Sequence, residues 1–210
     1  MIPFSELLVF IVAALGLVIT PGPNMIYLIS RSITQGKKAG IISLIGVICG
    51  FLFHISMVAF GLTALLFAVP IAFTLLKLLG ACYLLYMAFN AVKSSGSIFE
   101  NRPDLAHDKP VKLFTMGFLT NVLNPKMAVF YLSLFPQFIQ PDAGSIPLQC
   151  FELGLTQMGI SFTINFLIVL SAAKMAVWFA QNPTWIKIQK WFMASILVGL
   201  ALKMALTKSK

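Results

Sequence analysis

The chain has 210 residues, 59% of them hydrophobic and 10% charged, with 15 Lys and Arg against 6 Asp and Glu for a formal charge of +9. A soluble domain carries about 25% charged residues, so a soluble globular protein is excluded. The positive excess reflects scarce acids and basic residues gathered in short connections, as membrane orientation requires, and does not indicate a nucleic-acid surface.

In chain order, the start Met1-Ile2-Pro3-Phe4-Ser5-Glu6 lacks the basic opening of a signal peptide and reads as a retained first span. No Lys, Arg, Asp or Glu occurs from Ala39 to Leu76, and roughly 20 apolar residues already cross a bilayer. The class is an all-α integral membrane protein. Six transmembrane helices are predicted, at 4–29, 40–68, 71–92, 113–139, 147–175 and 186–206. The connection Ser30–Ala39 carries Arg31, Lys37 and Lys38; Lys93–Lys112 carries Lys93, Arg102, Lys109 and Lys112; Lys187 and Lys190 follow the turn at Pro183. The turns at Pro70 and Pro141 have no Lys or Arg. All the basic connections fall on one side, which charge bias places in the cytoplasm with both termini outside. Only the tail, with Lys208 and Lys210, opposes this.

The hydrophilic segment 94–112 reads as a cytoplasmic linker between three-helix halves, 1–93 and 113–210. Pro23-Asn24-Met25 lines up with Pro125-Lys126-Met127, and Lys77, Ala81 and Ala88 echo Lys190, Ala194 and Ala201. An odd number of spans per half inserts the second copy inverted, the two-inverted-repeat design of many secondary transporters.

The first and fourth spans contain proline breaks. Pro21 and Pro23 free the carbonyls of Leu17 and Ile19, and Gly22 permits a non-helical backbone. The helix restarting at Asn24 offers free N–H groups and a positive dipole end to a carboxylate, while freed carbonyls suit an ammonium. A zwitterionic amino acid presents both, so Thr20, Pro21, Gly22, Pro23 and Asn24 are candidate substrate-binding residues. In the fourth span Pro125 frees the carbonyl of Asn121, and Asn121, Asn124, Pro125 and Lys126 complete the candidate site. Lys126 falls near mid-membrane, where a charge costs at least about 2.5 kcal/mol by insertion scales. A lysine held there can alternate between charged and neutral forms, which makes Lys126 a proton-coupling candidate, with Glu152 and His54 beside it.

Gln149, Glu152, Thr156, Gly159 and Thr163 form a stripe on the fifth span that is expected to face the bundle interior. Ser43, Gly46 and Gly50 form a small-residue packing seam on the second. Cys49, Cys82 and Cys150 are odd in number and widely spaced, which argues against a disulfide framework or a metal site. No cofactor is expected. No catalytic set appears, so the chain is not read as an enzyme; the rival readings are a polytopic membrane enzyme, which needs clustered carboxylates or histidines, and a structural subunit of a membrane complex.

Thr20-Pro21-Gly22-Pro23-Asn24, Gln35-Gly36-Lys37-Lys38-Ala39-Gly40, Gly80-Ala81-Cys82-Tyr83-Leu84-Leu85-Tyr86, and the run from Gly117 through Asn121 and Asn124-Pro125-Lys126 to Phe135-Pro136-Gln137-Phe138 together resemble the LysE/RhtB family of bacterial amino-acid exporters. The blocks lie in family order across nearly the whole chain. The resemblance implies a multi-pass inner-membrane exporter of amino acids or close derivatives, driven by the proton gradient. Its partners would be substrate, protons and the lipid bilayer, with a homo-oligomer left open. Many members carry an acidic or small polar residue after the second-helix glycine seam, where this chain has Phe51 and Phe53.

Overall fold

The computed structural model describes residues 2–68, 70–93 and 108–206; most of the expected linker (94–107), and the tail with Lys208 and Lys210, lie outside the described residues. Among the described residues every regular element is helical. Helix α1 (Phe4–Ile19) stops before the paired prolines, and α2 (Pro23–Ala68) begins with proline at its first position, where a missing N–H removes no intrahelical bond. Gly36 interrupts α2 with φ 84 and ψ 171, a backbone open to glycine and strained for other residues. There the chain folds back. Ser43 Oγ donates to Tyr27 Oη at 3.2 Å, although sixteen residues of straight helix would part them by about 24 Å. The expected connection at 30–39 is therefore a turn of one non-helical residue between two helices.

Helix α3 (Pro70–Lys93) precedes the linker, and α4 (Pro110–Val122) follows it. The second break separates α4 from a short α5 (Pro125–Val129), which runs into a π-helical turn at Phe130–Leu134 and a 3-10 turn at Phe135–Phe138. After a further 3-10 turn (Pro141–Ala143) come α6 (Ile146–Gln181) and α7 (Pro183–Leu206). The first and fourth expected spans are thus interrupted where their prolines stand.

Among the described residues many large apolar side chains are exposed, and several polar ones are buried within a mainly apolar core. Phe4, Val12, Phe60, Leu79, Phe89 and Trp191 are exposed, while Ser43, Asn121, Asn124, Lys126 and Gln157 are buried. Lipid rewards this arrangement. Pro23–Gly61, which includes the fold-back, and Ile146–Trp178 are long and apolar enough to cross a membrane; Phe4–Ile19, Leu78–Asn90 and Lys190–Leu202 are shorter apolar stretches.

Helix α2 packs mainly on α4 and α6, α3 on α7, and α1 on α6 and α7. The expected small-residue seam is the α2–α4 contact. Gly46 meets the carbonyl of Phe114, Gly117 meets the carbonyl of Ser43, and Gly50 meets the side chain of Asn121. Side chains there would hold the backbones apart. Phe10 of α1 packs edge-on to Phe135 and Phe138, with centroids 5.8 and 5.1 Å apart, tying the start of the first half to the segment beyond the second break.

Candidate functional site

The two proline breaks meet through one side chain. Lys126, on the first turn of α5, is 4% exposed. Its Nζ donates to the carbonyl of Leu17 at 3.1 Å and to that of Thr20 at 2.7 Å. The Leu17 carbonyl is one that Pro21 was expected to free, so a lysine of the second half fills the vacancy left by a proline of the first. The lysine stem runs over Gly22, where an added Cβ would lie 3.0 Å from both Cε and Nζ. A side chain at that position would press on the end of the lysine. Thr20 is buried and turns its hydroxyl back to the carbonyl of Gly16 at 2.8 Å.

The second break is capped from inside and outside. Asn124 is the N-cap of α5, its Oδ1 accepting from the Lys126 N–H at 3.0 Å. The carbonyl of Asn121, which Pro125 was expected to free, accepts from the Asn124 N–H at 3.0 Å and faces His54 Nε2 at 3.2 Å. A carbonyl only accepts, so Nε2 carries the hydrogen. The His54 ring stacks on Tyr131 at 5.2 Å and 7°, and Tyr131 donates to Gln157 Oε1 at 2.9 Å. A polar chain therefore crosses the bundle from the α4 break through α2 to α6. Tyr131 and Gln157 were not singled out from the sequence.

Several buried atoms around these breaks have no hydrogen-bond partner: Asn24 Oδ1, both side-chain heteroatoms of Asn121, Asn124 Nδ2 and Gln157 Nε2. Buried polar groups are nearly always paired, so each such group calls for an explanation. These supply donors and acceptors beside the break without a present use.

Other expected site residues are placed differently. Pro23 and Pro125 are exposed; they shape the backbone and do not face the buried cluster. Pro21 is half-buried and Gly22 buried. Glu152 is half-buried on α6. The expected inward stripe on α6 is corrected beyond Gln149. Gly159 and Thr163 are exposed, and the inward polar residues are Gln149, Gln157, Ser161 and Asn165. The cause is that Thr163 bonds its hydroxyl to the carbonyl of Gly159 at 2.9 Å, as Thr156 does to Glu152 at 2.8 Å. Such a hydroxyl is satisfied within its own helix and can face lipid, which an amide side chain does less readily. In the stretch where the resembling family often carries a polar group, Phe51 is buried, Phe53 is exposed, and His54 is the polar residue turned inward.

Away from the breaks, Asp108 closes a latch just before α4. Its carboxylate accepts from Lys112 at 2.6 Å, from Arg31 at 2.7 Å and from Gln35 Nε2 at 3.1 Å, and its N–H donates to Gln35 Oε1 at 2.8 Å. The Lys112 and Gln35 hydrogen bonds, aided by the Arg31 charge, hold the carboxyl below the usual carboxylate range. Nearby, Tyr27 donates to the Leu113 carbonyl at 2.8 Å.

An apolar surface around two helix breaks with buried polar groups is the arrangement expected of a membrane transport protein. The family model of the LysE type translocator matches residues 15–208, so the chain belongs to that family. The chain is similar to the leucine efflux protein of Klebsiella pneumoniae subsp. pneumoniae, 25% identical over 96% of this chain and 95% of that protein. It is also similar to the leucine efflux proteins of Salmonella choleraesuis and Salmonella typhimurium, each 26% identical over 95% of this chain and 94% of the relative. No solved structure matches it.

Proposed function

We propose that this protein exports an amino acid, with leucine the first to test, across the bacterial inner membrane in exchange for protons. The observation that carries this reading is the bond from Lys126 across to Leu17 and Thr20, which makes one buried polar centre out of two breaks in different halves. We take Thr20, Gly22, Asn24, Asn121, Asn124 and Lys126 as its substrate-binding residues, and Pro21, Pro23 and Pro125 as the residues that break the helices there. Lys126 and His54 are the proton-coupling candidates at the breaks, and Glu152 is a third on α6.

The architecture proposed is six spans in two inverted halves, 1–93 and 113–210, joined by a cytoplasmic linker at 94–112. Pairing of elements supports it. If the span of α1 corresponds to that of α4 and α5, the Gly36–Ala68 arm to α6, and α3 to α7, the contact of α1 with α6 mirrors that of α4 with α2. The α3–α7 contact maps onto itself, and its echoed alanines Ala81, Ala88, Ala194 and Ala201 are all buried.

The test uses right-side-out membrane vesicles preloaded with labelled leucine or another amino acid from a panel. The expected result is faster release than from vesicles lacking the protein, accelerated when the outside is made more acidic than the inside. No acceleration for any amino acid would overturn amino-acid export; release insensitive to the pH gradient would overturn only the proton coupling.

A further inference from the structure

Two main-chain carbonyls at the first break already hold an ammonium group, and that group belongs to the protein. Lys126 Nζ sits 2.7 Å from Thr20 O and 3.1 Å from Leu17 O, inside the bundle and against Gly22. An amino acid carries the same –NH3+ group. Asn24, two residues past Gly22, has a buried Oδ1 with no partner, and Asn124, two residues before Lys126, has a buried Nδ2 with none. The first can only accept a hydrogen bond and the second can only donate one. Bonds to charged groups are among the strongest a buried amide makes, so the free acceptor suits an ammonium and the free donor a carboxylate.

We propose that Lys126 is a built-in substitute for the substrate ammonium: it occupies the Leu17–Thr20 carbonyl pair while the carrier is empty, and the ammonium of the arriving amino acid displaces it. This rests on the reading of the protein as an amino-acid exporter. Charge balances, since one ammonium leaves the carbonyls as another arrives. The displaced Lys126, with the donors of Asn121 and Asn124, then faces the substrate carboxylate. An empty carrier with the pair unfilled would bury bare carbonyls beside the break, and each such group costs free energy. Lys126 removes that penalty and lets the empty carrier reset.

Two arms test the proposal. In the first, the Lys126→Ala protein is purified in nanodiscs and melted with and without n-propylammonium, which replaces the lost part of the side chain. Propylammonium should raise the melting temperature of the variant and leave the native protein unmoved, and n-propanol should do neither. Equal effects on both proteins, or an equal effect of propanol, would overturn the carbonyl pair as an ammonium site. In the second, proteoliposomes report exchange of labelled amino acid for unlabelled and, separately, net efflux. In Lys126→Ala, and in Lys126→Met as the variant that keeps an unbranched stem, exchange should fall with the lost carboxylate contact, and net efflux should fall about tenfold further than exchange. Equal losses of exchange and net efflux would make Lys126 a simple substrate anchor and overturn the substitution. If the native protein moves no amino acid, the export reading falls, and the melting arm still decides whether the carbonyls bind ammonium.

Discussion

Asn121 is fully buried, and neither heteroatom of its side chain has a partner. A buried polar group left unpaired costs about 1–3 kcal/mol, so this amide weakens the fold unless it serves a ligand. Asn121→Ala should therefore change thermal stability little, within about 1 kcal/mol, because the lost penalty offsets the small cavity. It should weaken amino-acid binding several-fold, read as a rise in half-saturating substrate concentration. A large drop in melting temperature with unaltered transport would show a structural asparagine. The break itself was legible in the sequence, because proline's missing donor acts locally and names the carbonyls it frees. What fills those carbonyls was not, since the partners of Leu17 and Asn121 come from Lys126 and His54, far along the chain. Gln157 was illegible for a related reason: its role follows from the Tyr131 hydroxyl, which only packing brings to it.

Glycines set the distance between α2 and α4. A methyl group at Gly46 would run into the Phe114 carbonyl and the Phe118 N–H region of α4, which is backbone and cannot turn aside. Gly46→Ala should cost about 1–3 kcal/mol by overpacking. Gly61→Ala, where an added Cβ meets nothing within 4 Å, should cost nothing and gain up to about 1 kcal/mol from helix preference. Melting of the two detergent-solubilised variants side by side checks the pair, and equal effects would show that the α2–α4 crossing tolerates separation. The small-residue seam was readable because size is written in the residue type. The α6 stripe was misread because a threonine looks polar in a sequence yet satisfies itself in a helix, as Thr163 does. Thr163→Val should accordingly leave transport unchanged in the flux assay, whereas Gln157→Leu, which removes the acceptor of the Tyr131 hydroxyl, should impair it.

For the molecule as a whole, the loop charges orient the proposed six spans, and Asp108 ties the linker end to the Gly36 turn. With its native value depressed, the Asp108 carboxylate stabilises the fold fully above its ordinary pKa of about 3.9, and that contribution is lost as pH falls through the lower native value. Asp108→Asn should lose this stability at neutral pH, on the order of 1 kcal/mol, and should show a shallower decline in melting temperature on acidification below about pH 4. Single cysteines at Ser95 and Ser209 in a cysteine-free background test orientation. An impermeant thiol reagent applied to intact cells should label position 209 and spare position 95; labelling of position 95 would invert the topology. In a carrier made of two inverted halves, perfect symmetry would give the inward-open and outward-open shapes equal energy. Here one break is plugged by a lysine and the other by a histidine, so the two shapes are chemically unequal. On the proposed inverted-repeat architecture the unloaded carrier would favour one of the two shapes, and turnover would start from that side.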